Sequence, residues 1–309
     1  MYYYFIVNPN SGAGKGLKIW NQVKTILNKK NAEYEVYFTT GTGDGRKKAH
    51  ELTSSHKEEI RIIAIGGDGT MNEVLDGISF GCPVILGYIP SGSGNDLAKG
   101  LGLPKNVKKL LERVLNPGEE IDTIDYGVLS CAECGCIRRF IVSAGIGFDA
   151  AVCHDILDSR VRDKIGRLFG NKAAYVASGV KEYLLSKPSR GYIILDGERR
   201  VELKHILFIS AHIHPYEGGG FKFAPNADDN DGKLELCVVS NKNKLKLIPT
   251  LLSAKGGALK NTNGVRFFSC KEAHIHIDRP LAVHTDGESC NYQTDIDFHC
   301  VKGQLRFIR

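Results

Sequence analysis

A run of apolar residues leads directly into a glycine-rich string, and this feature restricts the possible folds of the chain more than any other. Ile60 to Ile65 are almost all apolar, and Gly66-Gly67-Asp68-Gly69-Thr70 follow without a break. A run without polar alternation is typical of a central parallel strand that is covered on both faces. A helical pattern occupies Met71 to Ile78, so the string is predicted to form a strand-to-helix turn.

The same alternation of strand and helix patterns extends to about residue 125. The predicted strands are Tyr2 to Val7, Tyr34 to Thr39, Ile60 to Ile65 and Val84 to Ile89, and the helical patterns between them include Trp20 to Leu27, Arg46 to Leu52 and Met71 to Ile78. This order predicts an α/β domain with a parallel sheet and right-handed crossovers.

Beyond that point the pattern changes to short apolar stretches separated by turns. The predicted strands are Ile137 to Ser143, Gly191 to Leu195, His205 to Ser210, Leu234 to Val239 and His274 to Ile277, with one long helical pattern over Lys172 to Leu185. Asp196-Gly197 is a hairpin-turn sequence. The length of 309 residues favours two domains. We therefore predict a nucleotide-binding domain over residues 1–127 and a β-rich, mainly antiparallel domain over residues 128–290.

Three loops that follow predicted strands have the composition of a phosphate site. They are Asn8 to Lys15, Gly66 to Thr70 and Pro90 to Asp96. Glycines let the backbone approach phosphate oxygens, which N–H groups at the next helix start can bind, and Asp68 could hold Mg²⁺. The first loop is not a Walker A loop, because Pro9 and Gly16 replace required residues. The alternative is that these turns only close strand–helix corners.

Charge and cysteine content limit the class of protein. The net charge of +6 indicates either a basic solvated surface or attraction to polyanions. We find no signal peptide and no apolar stretch of the ~18–20 residues that a membrane span needs, so we expect a cytoplasmic protein whose nine cysteines are reduced. Cys131, Cys134 and Cys136 could bind zinc or could lie at a hairpin tip.

Seven strings in order along the chain resemble the bacterial diacylglycerol kinase family, whose catalytic domain is shared with sphingosine and ceramide kinases. They are Asn8-Pro9 with Ser11-Gly12 and Gly14-Lys15, Gly66 to Glu73, Gly92 to Asp96, Gly145 to Asp149, Gly218-Gly219-Gly220 through Ala224-Pro225, Asp231 to Leu234, and Asp286-Gly287-Glu288. The resemblance implies an N-terminal domain like that of NAD kinases and phosphofructokinases. A β-rich sandwich domain follows, and residues 291–309 return to the first domain.

The resemblance also implies the site residues. The positions that match the family's ATP-binding motifs are Asn8, Pro9, Asn10, Ser11, Gly12, Lys15, Thr40, Gly66, Gly67, Asp68, Gly69, Thr70, Met71, Asn72, Glu73 and Ser93. Glu288 matches the proton acceptor, with Asp68 and Asp286 as further catalytic candidates. Asp228, Asp231 and the carbonyl of Lys233 match a structural Mg²⁺ site, and their oxygen ligands would suit that ion. The alternative for this turn is a solvated acidic loop.

The resulting prediction is an ATP- and Mg²⁺-dependent kinase that phosphorylates the hydroxyl of diacylglycerol or a related lipid. The alternatives are a soluble-substrate kinase of the NAD kinase type and a nucleotide-binding regulator without activity. Relatives usually carry Asn in the segment that His212 to Pro215 occupy here, which leaves the lipid open.

We expect no nucleic-acid partner and peripheral association with the inner face of the membrane, and the resemblance allows a homodimer. Two basic segments with interleaved apolar residues could dock on anionic lipid or could pack on the protein core. They are Arg160 to Leu168 and Lys242 to Lys260.

Overall fold

The structure is a computed structural model. It describes residues 2–116, 118, 121–131, 135–151, 187–241, 249, 253–257, 259 and 264–309. The predicted helix over Lys172 to Leu185, the basic segment Arg160 to Leu168, Cys134 and most of Lys242 to Lys260 lie outside these residues.

The first part of the chain alternates strands and helices as the sequence predicts. The strands are β1 (Tyr2–Val7), β2 (Glu33–Phe38), β3 (Ile60–Gly66) and β4 (Val84–Pro90), and the helices are α1 (Ser11–Lys29), α2 (Asp44–Ser55), α3 (Asp68–Gly77), α4 (Asp96–Gly100) and α5 (Val107–Leu115). The order β2-β1-β3-β4 is parallel throughout. All seven residues of β3 are buried, as expected for a strand with helices on both faces.

The second part is built from antiparallel strands. They are β5 (Ile121–Cys131), β6 (Cys136–Phe140), β7 (Ser143–Gly147), β8 (Ser189–Leu195), β9 (Arg199–His212), β10 (Leu234–Ser240), β11 (Val265–Cys270), β12 (Glu272–Thr285) and β13 (Glu288–Ile308). β9 and β12 each pair with β8 over their first halves and with β7 over their last residues. Long strands are thereby shared between two layers that enclose a second core.

Two expectations need correction. The stretch Ile137 to Ser143 is not one strand, because the chain leaves β6 after Phe140 and starts β7 at Ser143. The parallel strands also do not form a sheet of their own. They continue into the antiparallel strands through β13, whose Arg306 and Phe307 pair in parallel with β4. All strands of the described residues therefore belong to one 13-stranded sheet that is mainly antiparallel.

The return of β13 ties the two parts of the chain together. Its residues Leu305, Phe307 and Ile308 are buried in the core formed by β1 to β4 and their helices. Burying a side chain of this size contributes about 1.5–3 kcal/mol. The same strand pairs with β5 and β12, and it begins at Glu288. The packing of its far end therefore helps to fix where that residue stands.

Candidate active site

The loops after β1, β3 and β4 touch one another through glycines. The Ser11 and Ser91 hydroxyls share a hydrogen bond. A Cβ on Gly12 would lie 2.1 Å from the Ser91 carbonyl oxygen, and one on Gly92 would lie 2.7 Å from the Gly67 Cα. Any larger residue would push the loops apart. The three loops therefore form one surface at the carboxyl ends of neighbouring parallel strands, which is where such sheets bind ligands.

The first of these loops turns left-handed before its helix continues. Gly12, Ala13 and Gly14 have φ values of 57°, 58° and 84°, and Ala13 is a non-glycine residue that adopts this conformation at a cost. Lys15 follows immediately and is exposed. Ser93, in the loop after β4, is exposed as well. Both side chains can therefore meet a ligand that lies on the loop surface.

Asp68 links the loop after β3 to the start of α4 and to the second part of the chain. Its carboxylate accepts the Asp96 N–H at 2.9 Å and the Leu97 N–H at 3.2 Å. The Asp96 carboxylate in turn accepts the Gly219 N–H at 2.7 Å. Burial, and then the neighbouring Asp96 carboxylate, raise the pKa of Asp68 to about 6. Lys99 pairs with Asp96 at 2.7 Å, and a divalent cation beside Asp68 would offset the repulsion that remains between the two carboxylates.

Four of the residues that match ATP-binding motifs use their side chains for contacts with other protein groups. Met71 is fully buried in the core, and the Asn72 amide donates to the Asp286 carboxylate at 2.8 Å. The Glu73 carboxylate accepts two backbone N–H groups at the start of α2. Thr40 donates its hydroxyl hydrogen to Asp44 at 2.6 Å. These side chains shape the loops around the phosphate surface.

Asp286 and Gly287 form the two-residue turn between β12 and β13. Their φ values of 47° and 87° are those of a type I′ hairpin turn. The Asp286 carboxylate accepts N–H groups from Ile141, Val142 and Ser143 at 2.8 to 2.9 Å, besides the Asn72 amide. Each of the two carboxylate oxygens therefore accepts two hydrogen bonds. The same contacts hold the chain open between β6 and β7, which explains the break in the predicted strand.

Glu288 stands directly after this turn and faces the loop after β3. A Cβ on Gly69 would lie 2.7 Å from a Glu288 carboxylate oxygen, so the end of the Glu288 side chain reaches this loop and would have to move for a larger residue at position 69. Burial, and then the Glu73 carboxylate, raise the pKa of Glu288, while its residue remains partly exposed. The structure therefore brings Glu288 to the glycine loop that contains Asp68.

The acidic turn at residues 228–232 has two exposed carboxylates and one buried carboxylate that is bonded to the protein. Asp228 and Asp231 are exposed, and each uses one oxygen to accept a nearby backbone N–H. Between them, Asp229 is buried and receives two hydrogen bonds of 2.8 Å from Arg309. The exposed carboxylates and the Lys233 carbonyl are hard oxygen donors that suit Mg²⁺.

A third acidic group lies beside the β12–β13 turn. Asp149, Glu217 and His284 place their ligand atoms within 4.8 Å of one another, and they are the one such group of three among the described residues. The Gly287 N–H donates to His284 Nδ1 at 3.2 Å. A neutral imidazole that accepts at Nδ1 carries its proton on Nε2, and Nε2 is the atom that faces the carboxylates. The group therefore fits a shared proton better than a metal ion.

His212 and His214 occupy separate environments although two residues apart. His212 Nε2 lies 2.8 Å from the Ser210 hydroxyl and 3.4 Å from Glu217, whereas His214 lies 3.6 Å from Asp229. Burial lowers the pKa of His212 to about 3 and that of His214 to about 4. Both rings are thus neutral at physiological pH.

Sequence reasoning did not single out Glu217 and His284. A signal was present for each, because Glu217 directly precedes the triple glycine and His284 lies two residues before Asp286. Cys131 on β5 lies opposite Cys136 on β6 in the sheet register.

Comparison with known proteins gives matches over nearly the whole chain. Residues 2–128 match the diacylglycerol kinase catalytic domain, and residues 141–309 match the YegS C-terminal NAD kinase β-sandwich-like domain. A diacylglycerol kinase of Bacillus subtilis is 28% identical over 289 residues, covering 92% of this chain and 88% of its own. One of Mycobacterium tuberculosis is 29% identical over 308 residues, with 96% and 88% covered.

The fold is also found among solved structures. The crystal structure of a diacylglycerol kinase from Bacillus anthracis superimposes with a TM-score of 0.70 at 21% identity, covering 99% of this chain and 96% of that one. At this identity the likeness concerns the fold alone.

Proposed function

Because the chain belongs to the family that joins a diacylglycerol kinase catalytic domain to a YegS-type C-terminal domain, we propose that it is an ATP-dependent lipid kinase. It transfers the γ-phosphoryl group to the hydroxyl of diacylglycerol or a related lipid. The observation that carries the assignment is the position of Glu288, whose carboxylate lies against Gly69 in the loop that also contains Asp68.

The nucleotide binds on the glycine surface. Its phosphates lie along Asn8 to Gly12, Gly66 to Thr70 and Ser93, within reach of Lys15. Residues 1–127, completed by residues 291–309, form this half of the enzyme, and residues 128–290 form the lipid half. Mg²⁺, when bound, neutralises phosphate charge beside Asp68. Asp228, Asp231 and the Lys233 carbonyl would hold a second Mg²⁺, which would neutralise the acidic turn of the lipid half.

Glu288 takes the proton of the lipid hydroxyl. As that oxygen forms its bond to the γ-phosphorus, the bond from phosphorus to the bridging oxygen breaks and ADP leaves. A raised pKa brings the carboxylate nearer to the range in which a general base is effective. We propose that Asp286 supports Glu288 indirectly. It holds the turn through its four N–H donors, so Glu288 is the base.

A lipid acceptor requires contact with a membrane surface. None of the helices in the described residues is long and apolar enough to cross a membrane, and the net charge of +6 favours anionic lipid. Co-sedimentation with vesicles should therefore increase with anionic lipid and decrease with salt, and equal binding to neutral vesicles would contradict peripheral docking.

The direct test is turnover with a substrate panel. Purified protein, Mg²⁺ and γ-labelled ATP are incubated with diacylglycerol, ceramide and a sphingoid base in mixed micelles, and with NAD⁺ in solution. We expect label in a lipid product. Label in NADP⁺ would indicate the NAD kinase alternative, and ATP binding without any labelled product would indicate the regulator.

A further inference from the structure

His284 lies between two buried carboxylates and the turn that carries Glu288. Its side chain is 1% exposed, and Nε2 lies 3.3 Å from an Asp149 oxygen and 3.5 Å from a Glu217 oxygen. On the other edge of the ring, Nδ1 accepts the Gly287 N–H at 3.2 Å. The ring therefore connects an acidic group in the second part of the chain to the residue next to Glu288.

The neighbouring groups determine which nitrogen of the ring carries the proton. Burial lowers the pKa of His284, but the hydrogen bond and the charge of Asp149 raise it overall, while the Gly287 N–H at Nδ1 opposes a second proton there. Asp149 presents a carboxylate oxygen to Nε2, and Glu217 presents an oxygen that can accept in either protonation state, so hydrogen on Nε2 is favoured and the neutral ring keeps its acceptor at Nδ1. That tautomer leaves Nδ1 with a lone pair toward Gly287. The other tautomer would direct an N–H at the Gly287 N–H, which is repulsive, and would leave the carboxylates without a donor.

The pairing of Thr285 with Glu288 closes the turn, and the contact with His284 adds a hydrogen bond to its second residue. Asp286 is held by its donors from β6, β7 and α3. Gly287 has no side chain, and the space where its Cβ would lie is empty to 4 Å. The contact with His284 fixes the Gly287 peptide, and that peptide leads directly into Glu288.

We propose that His284 is a positioning residue for phosphoryl transfer: its Nδ1 holds the Gly287 N–H, and Asp149 and Glu217 hold the ring in the tautomer that makes this possible. The proposal rests on the proposed function, since it assumes that Glu288 is the base. Misplacement of a reacting group by about 1 Å can cost on the order of 10²-fold in rate. His284 should thus affect kcat and leave substrate binding nearly unchanged.

Two substitutions distinguish the contact at Nδ1 of His284 from the contacts at Nε2. His284→Asn retains an acceptor near the Nδ1 position, whereas His284→Gln retains a polar group near Nε2 and loses that acceptor. We expect His284→Asn to stay within about 5-fold of the parent kcat. His284→Gln should lower kcat on the order of 10²-fold, with KM for ATP and lipid changed less than about 3-fold.

A double substitution ties the effect to Glu288. If His284 acts through this base, His284→Gln should cost little further rate in a Glu288→Gln background. Equal losses of kcat in His284→Asn and His284→Gln would overturn the proposal. So would a loss of kcat from His284→Gln that is as large in the Glu288→Gln background as in the parent. A parent enzyme without lipid turnover would instead refute the proposed function. That outcome is visible before any variant is made.

The tautomer of His284 can also be measured in the parent protein, which tests the proposal even if a variant does not fold. Long-range ¹H–¹⁵N spectra of ¹⁵N-histidine-labelled protein report the tautomer of each ring. We expect the His284 signals to show hydrogen on Nε2, and Asp149→Asn or Glu217→Gln to shift them. Hydrogen on Nδ1 in the parent protein would contradict the proposal.

Discussion

The two sides of the site use different chemistry. On the side of β1, β3 and β4, glycines bring backbone and short side chains from three loops together, and each loop directly follows its own strand. On the side of the β12–β13 turn, carboxylates and an imidazole meet from residues that are far apart in sequence, such as Asp149, Glu217 and His284. The first side suits a common ligand such as a triphosphate.

The turn itself contains a second contrast, between two acidic residues that are two positions apart. Asp286 directs both oxygens to N–H donors of the protein. Glu288 directs an oxygen toward the Gly69 loop. One carboxylate therefore maintains the structure and the other remains available for reaction, and substitutions should distinguish them.

The largest effect should come from Asp68→Ala. Removal of this carboxylate deprives the phosphate surface of its cation partner, and we expect kcat to fall by about 10³-fold or more. The variant also leaves the Asp96 and Leu97 N–H groups without their acceptor, so we expect the free energy of unfolding to fall by about 1–3 kcal/mol while the urea transition stays cooperative. Glu51→Ala, at an exposed carboxylate on α2, is the control. Near-normal turnover in Asp68→Ala would remove Asp68 from the mechanism.

Asp286→Asn should reduce stability strongly. The amide can accept at only one of its two positions, so it leaves buried N–H groups unpaired, at a cost of about 3 kcal/mol in the free energy of unfolding. Glu288→Gln is the matched comparison in the same turn and should change stability by less than about 1 kcal/mol. Urea unfolding at pH 7 measures both. Equal stability of the two variants would abolish the contrast.

Glu217 should make stability depend on pH. Burial, together with nearby charges, raises the pKa of Glu217 to about 7. A carboxyl with a raised pKa in the folded state holds a proton that the unfolded chain has already released, so its contribution to stability falls as pH rises from about 4.5 to 7. We expect the stability of the parent relative to Glu217→Gln to fall on the order of 2 kcal/mol across this window. A flat difference would place Glu217 in an ordinary environment.

The smallest effect concerns the acidic turn. Asp228→Ala and Asp231→Ala should each reduce the rise in melting temperature that added Mg²⁺ gives through linkage, by a few degrees. Asn230→Ala, at an exposed residue of the same turn, is the control. If both aspartate variants keep the full Mg²⁺-dependent rise of the parent, the turn is a solvated acidic loop.

The two sides also differ in how far sequence predicts them. The four strands of the first part match their predicted bounds to within one residue, because buried parallel strands and glycine turns leave local patterns. The helices match less well, since α1 begins at Ser11 rather than near Trp20, and α5 was not predicted. The break after Phe140 was not predicted, since it depends on hydrogen bonds to Asp286, more than 140 positions away. The contact between His284 and its carboxylates was missed for the same reason. No local pattern marks residues that meet only after the strands pair.

Single-turnover transfer from γ-labelled ATP to diacylglycerol tests the role of Glu288 most directly. Parent protein and Glu288→Gln are saturated with ATP and Mg²⁺, mixed with diacylglycerol micelles and quenched over time, and nucleotide affinity is measured separately. We expect the parent to form labelled phosphatidic acid. Glu288→Gln should transfer at least about 10²-fold more slowly with ATP affinity within a few-fold. Equal transfer rates, or a loss confined to ATP affinity, would contradict Glu288 as the proton acceptor.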